Sequence, residues 1–101
     1  MIRVLIERSL IEGKESDYLR AIRQLKQKAC HMPGYISGEM LVDPENTRHC
    51  LVMSTWENIE YWLTWAKSDE RKQAESGIRK MLTADESISV YEAASVKAAS
   101  S

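Results

Sequence analysis

Neither positive nor negative charge is in excess in this sequence, and the sequence contains no long apolar run. Fourteen basic and fifteen acidic residues give a formal net charge of −1, which offers no electrostatic attraction to nucleic acid or an anionic membrane. No apolar stretch approaches the length of a membrane span, and the first residues lack the apolar segment of a signal peptide. We therefore expect one cytoplasmic domain with neither nucleic acid nor a membrane as partner.

Metal-binding and cofactor-binding motifs are also scarce. The two cysteines, Cys30 and Cys50, have no CxxC neighbour and are most simply small buried residues in a reducing compartment, although the spacing alone leaves a disulfide open. Each lies beside a histidine, His31 or His49, but neither pair has the spacing of a standard zinc site. There is no GxGxxG motif. We therefore expect neither a metal nor a cofactor.

The few glycines and prolines separate alternating strand and helix patterns. Gly13, Pro33-Gly34 and the turn residues at 43–46 end three of these segments, because proline cannot continue a helix and glycine supplies turns. The periodicities predict these elements: a strand at 2–10, a helix at about 14–31, strands at 35–43 and about 48–56, a helical region from 58 to about 81 that is interrupted near Ser68-Asp69, and a strand at 87–92. Residues 1–93 then form one domain and 94–101 a flexible tail.

This order of elements predicts the fold. Strand, helix, strand, strand, helix, strand is the ferredoxin-like split βαβ arrangement of the α+β class, with helices on one face of an antiparallel sheet. Ile2, Val4 and Ile6 lie on one side of the first strand, while Leu51 and Met53 alternate with other apolar residues on the third. Apolar residues on both faces predict that a second copy covers the sheet, as a homodimer.

All three tryptophans, Trp56, Trp62 and Trp65, fall within ten residues, where a strand pattern gives way to a helix pattern. Large aromatic residues concentrated in this way form either the densest part of a core or the wall of an apolar pocket. The pattern favours a core role for each residue taken alone. The sequence does not decide between the two.

These residues carry a resemblance to a known family. The Met32-Pro33-Gly34-Tyr35-Ile36-Ser37-Gly38 turn, the Ser54-Thr55-Trp56-Glu57 segment, and Trp62 and Trp65 followed by Lys67-Ser68 resemble the antibiotic biosynthesis monooxygenase family of dimeric α+β barrel proteins. The resemblance covers Ile2 to about Glu92. It implies a dimeric α/β barrel and, less specifically, an oxygenase, since the family also contains haem-degrading enzymes and members of unassigned role.

The haem-degrading branch of the family uses an asparagine, a tryptophan and a histidine around the haem. Only the tryptophan position is matched, by Trp65, while Glu7 and Glu75 occupy the asparagine and histidine positions. A carboxylate is a much poorer axial haem ligand than imidazole. The resemblance therefore argues against haem degradation.

The cofactor-free oxygenase branch implies an apolar pocket for a small aromatic or quinol-like molecule, with polar groups that take a proton and hold an oxyanion. Glu7 is a candidate base because a carboxylate beneath the helices would have its pKa raised by desolvation, and Arg3 on the same strand face could hold an anion. The predicted site therefore comprises Glu7 and His49 as catalytic residues and Trp65, Trp62, Tyr18, Arg3 and Glu75 as substrate-binding residues.

Other interpretations stay open. Glu7 could form an ordinary ion pair with Arg3 or Arg8, and Glu75 could belong to a solvated helix face. The whole protein could bind a small molecule without turnover, or be a structural dimer whose tryptophans fill the interior. A cavity of a few hundred Å³ beside Trp65, with at least one polar group, would favour ligand binding over a filled core.

Overall fold

The computed structural model describes residues 1–94 and confirms the α+β architecture. The elements in chain order are β1 (Ile2–Ser9), α1 (Glu15–Ala29), β2 (Tyr35–Asp43), β3 (Asn46–Trp56), α2 (Ile59–Ala66), α3 (Asp69–Arg79) and β4 (Ser87–Glu92). None of the described helices is both long and apolar enough to cross a membrane. The predicted tail, 94–101, lies outside the described residues except for its first position.

The four strands form one open, fully antiparallel sheet in the order β2-β3-β1-β4. The first strand alternates strictly, with Ile2, Val4, Ile6 and Arg8 buried and the residues between them more accessible. Strand residues two apart point to the same face of a sheet, so these four lie on the face that the helices cover. The ferredoxin-like fold is therefore confirmed.

The β2–β3 hairpin and the last strand follow the predicted pattern. The hairpin pairing continues to Asp43 and Asn46, so β3 begins two residues earlier than the periodicity indicates. Ser68 caps α3, and its hydroxyl accepts a hydrogen bond from the backbone N–H of Arg71 at 3.2 Å. Asn58 caps α2 through the backbone N–H of Tyr61. The predicted interruption near Ser68-Asp69 is thus a true break between two helices, set by a side-chain cap.

The turn into β2 depends on Gly34, which has a φ of +82°. A Cβ atom at this position would lie 2.2 Å from the Tyr61 ring. The Gly34 carbonyl accepts a hydrogen bond of 2.8 Å from the backbone N–H of Glu57. Glycine is required here both for the left-handed backbone and for the close approach of the aromatic ring. This contact fixes α2 against the start of β2.

Two apolar clusters fill the space between the helices and the sheet. One contains all three tryptophans with Ile2, Val4, Ile6 and Ala29, and the other contains Leu10, Tyr18, Ile22, Cys50 and Ile78. The tryptophan cluster is closed at one end by Trp56, whose ring meets Tyr35 edge-on at 5.3 Å and Trp62 at 6.0 Å. The predicted core role of the tryptophans is therefore correct for their packing.

No helix within residues 1–94 covers the opposite face of the sheet. The strand register places Leu5, Leu41, Leu51 and Met53 next to one another in its centre, and Leu41 is 44 % exposed. A single chain leaves the sheet open, so closure of a barrel would require a second copy.

Candidate functional site

A cavity of about 210 Å³ lies between α1, α2, the start of α3 and the helix-facing side of the sheet. Its walls are mostly apolar. Trp62 and Trp65, three residues apart on one face of α2, form part of the wall, and both are buried. The other lining residues are Ile6, Arg8, Leu19, Ile22, Arg23, Leu25, Lys26, Ala29, Tyr35, Gly38, Glu39, Met40, Val52, Ser54, Trp56 and Arg71.

Arg8 brings a positive charge into this apolar space. Its side chain is fully buried, its Nε donates to Glu86 Oε1 at 2.9 Å, and its Nη1 donates to the Tyr18 hydroxyl at 3.0 Å. The guanidinium also lies 5.8 Å from the centre of the Tyr18 ring. Arg8 is held there because both of its neighbours compensate the loss of hydration.

Arg71, on α3, is the second buried cation, and it also approaches the Glu86 carboxylate. Its Nη1 lies 2.9 Å from Glu75 Oε1, one helical turn further on, and its Nη2 lies 3.8 Å from Glu86 Oε2. Its guanidinium is 5.1 Å from the centre of the Trp62 ring, within the range of a cation–π interaction. Glu86 therefore lies between two guanidinium groups that both line the cavity.

Each of these arginines keeps one donor group without a partner among the described residues. The Nη2 atoms of Arg8 and Arg71 are buried and make no hydrogen bond, since the 3.8 Å approach of Arg71 to Glu86 is too long for one. Buried donors are almost always paired. The two exceptions here belong to arginines that both line the cavity.

The two glutamates of this cluster respond to it in opposite directions. Burial and the neighbouring Glu86 carboxylate raise the pKa of Glu75, although Arg71 opposes this. Burial also acts against ionisation of Glu86, but Arg8, together with Glu75 and Arg71, holds the pKa of Glu86 below its ordinary value. Burial raises the pKa of the Tyr18 hydroxyl as well. Of the two glutamates, Glu75 is therefore the one that more readily holds a proton.

A separate polar cluster lies on the uncovered face of the sheet. His49 Nε2 is 3.2 Å from Glu7 Oε2, and its Nδ1 is 3.6 Å from Asp43 Oδ2. The backbone N–H of Glu45 and the nearby His49 lower the pKa of Asp43. Glu7 and His49 are accessible to solvent, with side-chain exposures of 56 % and 41 %. Arg3 is on the same face, paired with Thr55 and Tyr91.

The structure therefore divides the predicted site residues between two faces of the sheet. Trp62 and Trp65 line the cavity, and Tyr18 and Glu75 contact the arginines that line it. Glu7, His49 and Arg3 are grouped on the other face. The expectation that Glu7 lies beneath the helices was wrong, because β1 turns its odd-numbered residues away from them; the catalytic roles of Glu7 and His49 stay predictions.

Sequence reasoning missed Arg8, Arg71 and Glu86. A signal for Arg8 was present, because it continues the alternation of Ile2, Val4 and Ile6 onto the buried face. Arg71 and Ile78, seven residues apart, are the buried residues of α3 and mark its inner side at helical spacing. No local pattern identified Glu86, which precedes β4 and meets Arg8 across 78 positions of sequence.

Two other features of the described residues do not form comparable sites. Both cysteines are free thiols, Cys30 exposed and Cys50 buried, and no group of three potential metal ligands comes together within 1–94. A larger but open depression lies over α1 and α3 beside His31 and Glu70. Neither of those two residues is buried, and water therefore competes for any contact made there.

The fold and the cavity define the class of protein, an open ferredoxin-like α+β sheet with a pocket beneath its helices. Residues 1–76 match the model of the family described as antibiotic biosynthesis monooxygenase. The chain belongs to this family.

Individual relatives agree with that membership. SchA of Streptomyces halstedii is 29% identical over 69 residues, which are 68% of this chain but 18% of SchA. The 42.8 kDa protein of the whiE locus of Streptomyces coelicolor is 28% identical over the same length, 17% of that protein. The chain thus spans less than a fifth of the length of these curated relatives.

Solved structures match over nearly the whole chain. A putative antibiotic biosynthesis monooxygenase from Deinococcus radiodurans superposes with a TM-score of 0.87 at 18% identity, covering 96% of each chain. SnoaB of Streptomyces nogalater, a cofactor-independent oxygenase, superposes with a TM-score of 0.82 at 9% identity, covering 94% of this chain and 95% of SnoaB. At these identities the likeness establishes the fold.

Proposed function

We propose that this chain is a cofactor-independent monooxygenase that acts on a small hydroxylated aromatic molecule in the cavity between its sheet and helices. The observation that carries the proposal is the cavity of about 210 Å³, with tryptophan walls and two buried guanidinium groups. Membership of the family and the similar fold of SnoaB, an oxygenase of this kind, support the same activity.

The volume limits the size of the substrate. An apolar cavity of about 150 Å³ takes up benzene, so 210 Å³ accommodates one aromatic ring or a compact pair of rings. A flat ring can pack against Trp62 and Trp65, while its oxygen substituents reach Arg8 and Arg71. A longer polycyclic molecule would extend through the mouth of the cavity.

The proposed chemistry begins with loss of a proton from a substrate hydroxyl. Nearby positive charge favours the charged form of an acid, so the guanidinium groups of Arg8 and Arg71 lower the pKa of a hydroxyl bound against them. The proton passes to water at the mouth of the cavity. The resulting anion is held by the same two groups, in a site with little water to compete.

The electron-rich anion then reacts with molecular oxygen. A ring carbon donates electrons to O₂, one oxygen atom bonds to that carbon as a hydroperoxide, and the O–O bond breaks. The carbon becomes a carbonyl, and the second oxygen atom leaves as water with two substrate hydrogens. One O₂ thus converts a CH₂ or an aromatic C–H opposite a hydroxyl into a quinone-type carbonyl, and no external reductant is consumed.

Oxygen uptake tests this proposal. Purified protein is incubated with 1-naphthol or anthrone in buffer with a chelator and without flavin, and O₂ consumption is compared with the rate of spontaneous oxidation. We expect protein-dependent uptake and incorporation of one ¹⁸O atom from ¹⁸O₂ into the product of 1-naphthol or anthrone. No acceleration with any of these substrates, by protein that retains its fold, would contradict the proposal.

Two variants separate the candidate residues. Arg71→Gln removes a cavity cation and is expected to slow uptake by about 10²-fold, the size of a lost oxyanion donor. Glu7→Gln changes the predicted base on the other face. Uptake that is unchanged in Glu7→Gln would remove Glu7 from the base role, whereas a loss in Glu7→Gln with none in Arg71→Gln would move the site to the uncovered face.

Binding without turnover is the second candidate function. It is favoured by one observation: among the described residues that line the cavity there is no histidine, and the only carboxylate is the exposed Glu39. The cavity thus contains anion-binding groups without an evident proton acceptor. Saturable binding of an aromatic ligand with no oxygen uptake would support this function.

We also propose that a second copy of the chain covers the open face of the sheet. Leu5, Leu41, Leu51 and Met53 form an apolar patch there, which is the expected character of a dimer interface. Light scattering after size-exclusion chromatography should give twice the chain mass, and Leu51→Glu should give the monomer mass. A monomeric wild-type protein at micromolar concentration would overturn this proposal.

A further inference from the structure

The cavity is much more positive than the protein that surrounds it. The whole chain has a net charge of −1, yet the residues lining the cavity include four basic side chains and one acidic one. Arg8 and Arg71 lie inside, whereas Arg23 and Lys26 are exposed residues of α1 and therefore lie where the cavity opens. A basic mouth leading to buried cations concentrates and steers anions.

The interior cations are arranged to receive two oxygen atoms. Arg8 uses Nε and Nη1 for Glu86 and Tyr18, and Arg71 uses Nη1 for Glu75, which leaves one Nη2 group on each without a hydrogen bond. Because Glu86 lies between the two guanidinium groups, both are held in fixed positions. Each of the two free nitrogens can donate one hydrogen bond to a ligand oxygen.

The charge of the cluster also limits the ligand. The two guanidinium groups face the carboxylates of Glu75 and Glu86, and burial raises the pKa of Glu75. Tyr18, the remaining titratable group in contact with Arg8, is kept neutral because burial raises its pKa. A singly charged carboxylate adds less negative charge to this cluster than a doubly charged phosphate would.

We propose that the ligand of this cavity is an aromatic acid of one or two rings, with its ring against Trp62 and Trp65 and its carboxylate on the free Nη2 groups of Arg8 and Arg71. This inference rests on the proposed function only in assigning the ligand to this cavity. This carboxylate takes the place that the proposed function gives to the oxyanion, so an aromatic acid and a hydroxylated substrate compete for the same two guanidinium groups. The neutral phenol of the same ring system is then a weaker ligand.

Calorimetric titration with matched probes tests the inference. 2-Naphthoate and 2-naphthamide have the same ring system and nearly the same shape, but only the first is charged. We expect naphthoate to bind at least about tenfold more tightly than naphthamide, since hydrogen bonds to charged groups are about twice as strong as neutral ones. Equal or tighter binding of naphthamide would overturn the proposal.

Variants of Arg71 locate the preference. Arg71→Gln should reduce the affinity for naphthoate about tenfold while changing that for naphthamide by less than about twofold, and Arg71→Lys, which retains the charge, should keep a preference for naphthoate. Arg79→Gln is the matched control, because Arg79 is an exposed arginine of the same helix. An equal loss for both probes in Arg71→Gln, or an equal loss in Arg79→Gln, would contradict the assigned contact.

The titration is independent of turnover, since neither probe is oxidised in it. Oxygen uptake with 1-naphthol or anthrone and no preference for naphthoate would leave the oxygenase proposal standing and overturn the aromatic-acid inference. A preference for naphthoate with no oxygen uptake from any substrate would support the aromatic-acid inference and contradict the oxygenase proposal. Absence of binding by both probes, in protein with an intact circular dichroism spectrum, would overturn the assignment of the cavity as a ligand site for this class.

Discussion

Glu86 should be the most sensitive single charge in this protein, and Glu86→Gln is the change that tests it. The side chain accepts a hydrogen bond from Arg8 at 2.9 Å and lies 3.8 Å from Arg71, with 18% of its surface exposed. Glutamine keeps the shape and one acceptor oxygen but removes the negative charge. Two buried guanidinium groups then lose the carboxylate that lies between them.

The size of the loss follows from this geometry. Removing one partner of a fully buried ion pair costs about 3–5 kcal/mol. Because Glu86 is partly solvated and the glutamine carbonyl still accepts from Arg8, the expected loss lies below that range, at about 2–3 kcal/mol. Such a loss is a large fraction of a stability of about 5–15 kcal/mol.

The loss of stability is measured by urea denaturation of four proteins: the wild type, Glu86→Gln, Arg8→Met, and the double variant. The free energy of unfolding of the double variant should fall by at least about 1 kcal/mol less than the sum of the two single losses. The two side chains contact each other, so their interaction can be lost only once. Glu12→Gln, an exposed glutamate, should change stability by less than about 0.5 kcal/mol. The protein concentration is kept fixed, because any association shifts apparent stability.

Two results would refute this reasoning. One is a loss below about 1 kcal/mol in Glu86→Gln with an unchanged urea dependence, which would mean that solvent already satisfies the arginines. The other is additivity of Glu86→Gln and Arg8→Met within about 0.5 kcal/mol, which would mean that the 2.9 Å contact contributes nothing of its own to stability.

Three further predictions concern backbone geometry, a helix cap and pH. Gly34→Ala should destabilise the protein more than Gly13→Ala in thermal unfolding, because both have positive φ but only at Gly34 would a Cβ meet the Tyr61 ring; equal losses would show that this ring moves freely. Ser68→Ala should cost about 1 kcal/mol in urea denaturation through loss of the α3 cap, and an unchanged stability would show that the cap is dispensable. Glu75→Gln should gain stability relative to the wild type as the pH rises above about pH 4, since a raised pKa makes the contribution of Glu75 largest below its unfolded pKa and lost as pH rises through the folded one; a difference that is constant with pH would contradict this.

The sequence predicted the elements and the fold because those depend on local patterns. Strands β2 and β4 have the predicted bounds, and the break at Ser68 was visible as a capping residue inside a helical pattern. The first helix and β3 differ by one or two residues, since their ends depend on hydrogen bonds rather than periodicity. The dimer and the catalytic roles, in contrast, depend on a second chain or a substrate.

The candidate site was predicted less well, and the parity of β1 explains why. Ile2, Val4 and Ile6 already assigned the even positions of this strand to the helix-covered face, so Glu7, an odd position, had to point away from the tryptophans. The charged residue that the pattern placed beside them was Arg8. What no local pattern could supply was the reason that a buried arginine is tolerated there: its carboxylate partner, Glu86, is 78 positions away, and that contact exists only after β4 has paired with β1. A buried charge on a strand is therefore a better pointer to this cavity than the tryptophans are, because tryptophans also fill cores, whereas a buried guanidinium with an unpaired nitrogen has few other uses.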